Sequence, residues 1–252
     1  MPTKPDTVQR LHQAWGFHYS TFAPLENLPV LQLFLQKSCH SHHPSGRISA
    51  DRLQSFLESV GLAKKPIISL KQIHSGKAIM VPANEISISQ PIFGEADALF
   101  TNCRDFYISV RVADCLPVYV YDFENKIVGL IHAGWRGTLL GIARNSIMKA
   151  KQHFGLNPEK CRVILGPYIK PCCYQVSGEV ALLFSGGSIR IDQGSHYLDL
   201  AKVNDSQLVS CGIPSDNIFV AGDCTCCNPE IYHSFRRTGD QNGRMYAVLG
   251  LK

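Results

Sequence analysis

The chain has 252 residues, of which 45% are apolar, enough for one large domain or two small ones with a substantial core. Its formal net charge of +5 is spread along the sequence without a lysine or arginine run, which argues against a nucleic-acid or lipid surface and leaves small anionic substrates compatible. The first residues, MPTKPDTVQRLHQAW, lack the apolar core of a signal peptide, and no stretch approaches the roughly 20 apolar residues of a membrane span. A cytoplasmic protein is therefore expected, its ten cysteines read as reduced thiols.

No repeat, low-complexity segment or linker divides the chain, so residues 1–252 read as one domain. Leu53, Phe56, Leu57 and Val60 follow the i, i+3, i+4, i+7 spacing of an amphipathic helix and predict one near 49–60, with Gly61 as its cap. The segments PIISLKQI, KAIMV, DALFT, FYISVRV, LPVYVYD and KIVGLIH, rich in Ile, Val, Tyr and Phe and separated by Gly, Pro, Asn or Asp, read as strands. After GWRG, a helical pattern runs through Leu140, Ala143, Ile147 and Ala150 to a break at Gly155, followed by a strand at CRVILG. Further helices are predicted over 177–184 and 199–210, and GRMYAVLGL closes the chain as a last strand. The order mixes hairpin-like neighbours with strand and helix alternation, so the class is α/β or α+β with more than one sheet.

Three residues sit where such folds place reactive groups. His74 ends KQIHSG at a Ser-Gly turn, and His132 ends a strand before the Gly-rich turn AGWRG. Cys115 lies just before Pro117, which puts it at a strand's first residues or in a bulge. Taken singly, a histidine is usually a surface or satisfied core residue and a free cysteine a buried one; the shared context of strand end and Gly or Pro turn sets these three apart. As metal ligands they would hold zinc and leave a fourth position open to water. Alternatively, Cys115 would be a nucleophile made thiolate by a neighbouring imidazole. The two roles compete, and the spacing does not rank them.

The turn from His132 to Thr138 precedes a helix, so its backbone N–H groups and Arg136 offer an anion site, against the plainer reading of a glycine-dependent turn. Arg236 and Arg237 in YHSFRRTGD offer another, against a solvated or salt-bridged face. Strand alternation sets Asp114 opposite Cys115 if that stretch is extended, and Asp97 of GEADALFT is an equal candidate acid or base. The run Cys39-His40-Ser41-His42-His43 reads as a loop that binds metals adventitiously. Cys172 and Cys173, with Cys224, Cys226 and Cys227, could build a structural zinc site. Their spacing does not follow the paired C-x2-C pattern of ribbons or fingers, and buried thiols are the favoured reading.

Together KQIHSG, EADALFT, VRVADCLPV, GLIHAGWRGTLLGI, LGPYIKPCCYQV, CT, SFRR and GRMYAVLGL resemble, in order, the family variously called laccase-domain, multicopper polyphenol oxidase or purine nucleoside phosphorylase proteins. The resemblance spans about residues 66–251 and is carried most specifically by D-C-x-P and H-A-G-W-R-G, whose cysteine and histidine are 17 apart. It implies that His74, Cys115 and His132 hold zinc, or copper, and that the fold is a layered α/β/β/α sandwich with mixed sheets, related to cysteine deamidase toxins. The N-terminal third departs from the family: SCHSHHPSGR stands where it often has an Asn-Leu-rich segment, and Asp51-Arg52 where it has an Asn-Arg pair, of which only the arginine is kept; the resemblance assigns that position, Arg52, a substrate contact.

By the same resemblance the activity is phosphorolysis of adenosine, inosine and S-methyl-5'-thioadenosine together with adenosine deamination. The partners are then purine nucleosides and phosphate, without nucleic acid or membrane, in a monomer or small homo-oligomer. Cys115, His74, His132 and Asp97 would carry the chemistry, with Arg136, Arg236 and Arg52 binding substrate or phosphate. Deamination at a metal suits such a site, whereas phosphorolysis gives the metal no obvious place. A multicopper oxidase would need many paired histidines, of which the chain has one doubtful stretch. Other relatives suggest a Cys115-dependent amidase that edits peptidoglycan precursors. The non-enzyme alternative is a zinc-stabilised interaction domain whose site a fourth protein ligand would close.

Overall fold

The computed structural model describes residues 8–14, 17–37, 50–60, 65–83, 92–185, 187–239 and 243–252, with the side chains of 50–52 outside the description. In chain order, β1 (Gln9–Ala14), β2 (Phe17–Phe22) and β3 (Val30–Leu35) precede α1 (Ala50–Ser59), β4 (Ile67–Lys71) and β5 (Ala78–Val81). Then come β6 (Ile92–Glu95), β7 (Ala98–Thr101), β8 (Tyr107–Val112), β9 (Leu116–Asp122), β10 (Ile127–Ala133), α2 (Trp135–Leu139), α3 (Ile142–Phe154) and β11 (Cys161–Leu165). The last part carries β12 (Gln175–Val176), α4 (Gly178–Leu182), β13 (Ile189–Asp192), β14 (Ser195–Leu198), α5 (Leu200–Ser210), β15 (Ile218–Val220), α6 (Phe235–Thr238) and β16 (Met245–Leu251).

The strands pair into a seven-stranded sheet, β1-β2-β3-β16-β8-β4-β6, a six-stranded sheet, β15-β11-β9-β10-β7-β5, and a small sheet, β12-β14-β13. Side-chain alternation along the central strands decides the layering. On β9 and β10, Tyr119, Tyr121, Val128 and Leu130 face Val110, Ala247 and Leu249 of the seven-stranded sheet. The alternate residues Val118, Val120, Ile131 and Ala133 face Ile142, Ile147 and Ala150 of α3 and Leu200 and Leu208 of α5. On the far side, Leu31, Leu33, Tyr107 and Val248 take up Leu53, Phe56 and Leu57 of α1. Strands buried on both faces lose the apolar/polar alternation and read as continuous apolar runs, as MYAVLGL of β16 does. Each fully buried Leu or Phe contributes roughly 1.5–3 kcal/mol.

The layers therefore stack helix, sheet, sheet, helix, the mixed α/β architecture expected. The helices predicted near 49–60 and over 199–210 are α1 and α5, and the one over 177–184 is the shorter α4. The helix read from Leu140 begins later, at Ile142: Gly141 takes φ +74, which ends α2 and leaves Leu140 on the surface. Three strands before α1, β6, the short sheet and β15 went unread; β1 and β6 are largely exposed and β12 is only two residues long. Among the described residues no helix is long and apolar enough to cross a membrane.

Candidate metal centre and active site

His74 reaches the site on a backbone turn that Asp97 holds in place. Past the end of β4, Gln72 exchanges two hydrogen bonds with the Arg111 main chain: its Nε2 donates to Arg111 O at 2.8 Å and its Oε1 accepts from Arg111 N at 2.8 Å. The next three N–H groups converge on the Asp97 carboxylate, Ile73 at 3.4 Å, His74 at 2.9 Å and Ser75 at 2.6 Å, with the Ser75 hydroxyl at 2.8 Å. His74 sits at φ +57, a left-handed conformation unusual for a non-glycine residue. The converging donors hold it there, as is common where a side chain must be aimed.

Cys115 is aimed by a similar device. Asp114 takes φ +82, so the stretch before β9 is not extended and simple alternation does not describe it. Its buried carboxylate accepts from Thr225 Oγ1 at 2.6 Å, Ser234 Oγ at 2.9 Å and the Arg236 main-chain N–H at 2.7 Å. These bonds tie the cysteine loop to the loop beyond β15 and to the start of α6. Cys115 itself precedes β9 by one residue, as Pro117 requires. His132 is the penultimate residue of β10, buried at 3% exposure, and its Nδ1 lies 2.9 Å from Asp97 Oδ1.

The three donor groups meet: their ligand atoms lie within 4.8 Å of one another, and Cys115 Sγ is 3.9 Å from His74 Nε2. The two imidazoles stand edge to face, centroids 4.8 Å apart. Gly134 makes room for them, since a Cβ there would fall 3.0 Å from both Cys115 Sγ and His74 Cδ2. Burial pushes the Cys115 thiol up, but His132 and His74 overcome it and bring it down to about 6. Burial likewise disfavours His132 as a cation, yet the Cys115 thiolate and Asp97 raise it to about 9. Burial of Asp97 is outweighed by His132 and Ser75, which hold the carboxyl at about 2.

This donor set fits one metal ion. Two imidazoles and a thiolate are zinc ligands of an open site, and the Asp97 bond to His132 Nδ1 leaves Nε2 free to face the sulfur, as in carboxylate-histidine-zinc arrangements. A cavity of about 550 Å³ opens over the centre. Its lining includes four arginines, Arg111, Arg136, Arg236 and Arg244, and the aromatic side chains of Trp135, Tyr174 and Phe235. Arg136 lies over the Trp135 ring at 4.4 Å and Arg236 over Tyr174 at 5.2 Å.

The profile of the family described as multi-copper polyphenol oxidoreductase laccase matches residues 38–252. The chain belongs to that family. Within it, the chain is similar to the purine nucleoside phosphorylase YlmD of Bacillus subtilis, 31% identical over 163 residues that cover 62% of this chain and 59% of that relative. It is also similar to the adenosine deaminase RL5 of an unknown prokaryotic organism, 28% identical over 202 residues, covering 75% and 77% of the two. The crystal structure of YlmD from Geobacillus stearothermophilus superposes with a TM-score of 0.84 over 98% of this chain and 99% of that one, at 24% identity, and shares the fold. Despite the family's name, the described residues of this laccase-family chain offer a single His/Cys/His group, a donor set for one ion.

The structure brings together His74, Cys115, His132, Asp97, Arg136 and Arg236 in this region. Arg237 instead turns inward, donating to the carbonyls of Thr225, Cys226 and Tyr232. The assignment to Arg52 and the Cys39 to His43 segment lie outside the described residues. Gln72, Tyr174 and Arg244 went unread as cavity residues; Tyr174 follows the cysteine pair and Arg244 opens the last strand motif, but no local spacing marks either. The cysteine reading needs correction: Cys172 and Cys227 are exposed, Cys173 and Cys226 half-buried, and only Cys224 is buried. They sit on crossing loops rather than in strands, where apolar packing would cover them.

Proposed function

We propose that this chain is a purine nucleoside phosphorylase acting on adenosine, inosine and S-methyl-5'-thioadenosine, with adenosine deaminase activity, at a metal centre held by His74, Cys115 and His132. The observation that carries the reading is one cavity lined by the His/Cys/His centre together with arginines and aromatic side chains. Its volume lies in the range of small-ligand sites. The names of the relatives support the same chemistry.

In this reading Arg136 and Arg236, joined by Arg111 and Arg244, hold phosphate or the substrate's polar groups by charge-assisted hydrogen bonds. Trp135, Tyr174 and Phe235 offer faces for the purine. Zinc, or copper in its place, supplies Lewis-acid polarisation when bound. Asp97 acts as a positioning residue rather than as the acid or base: its carboxylate is fully buried, carries four donors besides His132, and is held at about 2, too low to shuttle a proton near neutral pH. Residues 1–252 act as one domain in the cytoplasm.

One observation favours a second reading. A Cys115 thiol lowered to about 6 beside a His132 raised to about 9 is also the thiolate-imidazolium pair of a cysteine nucleophile, which suits an amidase on peptidoglycan precursors. Chromatography of the purines formed from adenosine, with and without phosphate, separates the two. Phosphate-dependent adenine, or inosine without phosphate, absent in Cys115→Ser and after chelation, is the result expected. Turnover of neither kind overturns the nucleoside reading.

A further inference from the structure

A second cluster of thiols lies where two loops cross, outside the His74, Cys115 and His132 centre. Cys172 and Cys173 follow Pro171 in the turn beyond β11, and Cys224 and Cys227 lie in the loop beyond β15. The two segments, about fifty residues apart in sequence, are already joined by the main chain: Tyr168 and Cys224 form a parallel β-bridge, and Thr225 N–H donates to Tyr168 O at 3.1 Å. The Lys170 ammonium reaches Gly222 O at 2.6 Å.

Four sulfurs converge at this crossing, all within 4.8 Å of one another. Cys227 Sγ is 3.3 Å from Cys173 Sγ and 3.6 Å from Cys172 Sγ, too far for a disulfide bond. In a tetrahedral tetrathiolate with Zn–S bonds of about 2.3 Å, sulfurs stand roughly 3.8 Å apart, close to the two distances from Cys227 and inside the limit that encloses all four thiols. Cys224 and Cys227 are in C-x2-C register, the spacing of a zinc knuckle, with Cys226 between them left out of the group. The Lys170 N–H donates to Cys224 Sγ at 3.4 Å. A sulfur that accepts a main-chain N–H is favoured as the thiolate a metal ligand must be.

We propose that Cys172, Cys173, Cys224 and Cys227 form a structural tetrathiolate site for one zinc ion. Four protein ligands close the coordination shell and leave no position for substrate. The filled site carries a net charge of about −2, and three cations donate to main-chain carbonyls of the two loops that hold it: Lys170 to Gly222, Arg236 to Cys173 at 3.4 Å and Arg237 to Cys226 at 2.8 Å. The ion staples the loop bearing Tyr174 to the loop bearing Thr225, whose hydroxyl holds Asp114 beside Cys115. It braces the cavity wall without taking part in chemistry.

The test uses the full chain produced with zinc, with metal content measured together with the zinc X-ray absorption spectrum. The variant His74→Ala/Cys115→Ser removes the first centre and is expected to retain about one zinc per chain in sulfur-only coordination at about 2.3 Å. Cys226→Ser is expected to match the wild type, while Cys227→Ser in the His74→Ala/Cys115→Ser background loses the ion. Should that last variant fail to fold, the spectrum of His74→Ala/Cys115→Ser decides alone. Absence of zinc there, zinc with nitrogen or oxygen ligands, or a disulfide linking the Cys172–Cys173 and Cys224–Cys227 peptides by mass spectrometry overturns the proposal.

Discussion

Asp97 and His132 are bonded twice. The carboxylate meets the imidazole Nδ1 at 2.9 Å, and the Asp97 carbonyl accepts the His132 main-chain N–H at 2.7 Å. Because the same carboxylate also gathers the N–H groups of residues 73–75, one buried side chain sets the orientation of both histidines. Asp97→Asn keeps the shape but presents an amide where several donors already converge. Metal affinity is expected to fall roughly 10–100-fold, as for other carboxylate partners of ligating histidines, and competition against a chelator measures it. An affinity equal to the wild type would show that Asp97 does not orient the centre.

Acid stability carries a second signature of this residue. An ordinary aspartate titrates near 3.9, and Asp97 is held at about 2 in the folded chain. A carboxyl whose folded value is depressed stabilises above its unfolded value and loses that contribution as pH falls through the folded one. About 2 kcal/mol of stability should therefore disappear between roughly pH 4 and pH 2. Denaturant unfolding of metal-free protein across that window is expected to show the extra slope in the wild type and a shallower one in Asp97→Asn.

Cys115 in metal-free protein is expected to alkylate with a midpoint near pH 6 instead of the roughly 8.5 of a free thiol. His132→Ala removes the principal charge that lowers it and should move the midpoint upward. Iodoacetamide rates read peptide by peptide keep Cys115 apart from the exposed Cys172 and Cys227. A wild-type midpoint near that of a free thiol would sink the thiolate-imidazolium pair.

Gly134→Ala tests the cradle. Its Cβ would sit 3.0 Å from Cys115 Sγ and from His74 Cδ2, so the two ligands must part. Metal occupancy and adenosine turnover are expected to fall together, while the unfolding midpoint of the metal-free chain changes little, because Gly134 has ordinary φ and no core residue is displaced. Unchanged occupancy would mean that the two side chains can separate without cost to binding.

Arg236→Ala removes one cation from the cavity wall. If phosphate binds there, KM for phosphate should rise roughly tenfold or more, the size of one lost charge-assisted hydrogen bond, with inosine formation in the absence of phosphate far less affected. Equal loss of both activities would point to Arg236 as a brace for Tyr174 and Cys173 instead.

What the sequence determined by itself is what short-range patterns encode. The period of Leu53, Phe56 and Leu57 specified α1, and the apolar runs around Val118 and Leu130 specified strands. The motifs around His74, Cys115 and His132 put each ligand at a strand end, because a turn that must be tight there needs Ser-Gly, Pro or Gly nearby. Only the tertiary structure decided how distant side chains meet. It made Asp97 the anchor of two histidines, because the pairing of β7 with β10 lays Asp97 against His132, 35 residues away. Pairing β11 with β15 drew Cys172 and Cys173 to Cys224 and Cys227, and antiparallel pairing of β16 with β8 brought Arg244 to the cavity. Local spacing carries no record of such meetings, since strand partners are chosen by burial across the whole chain.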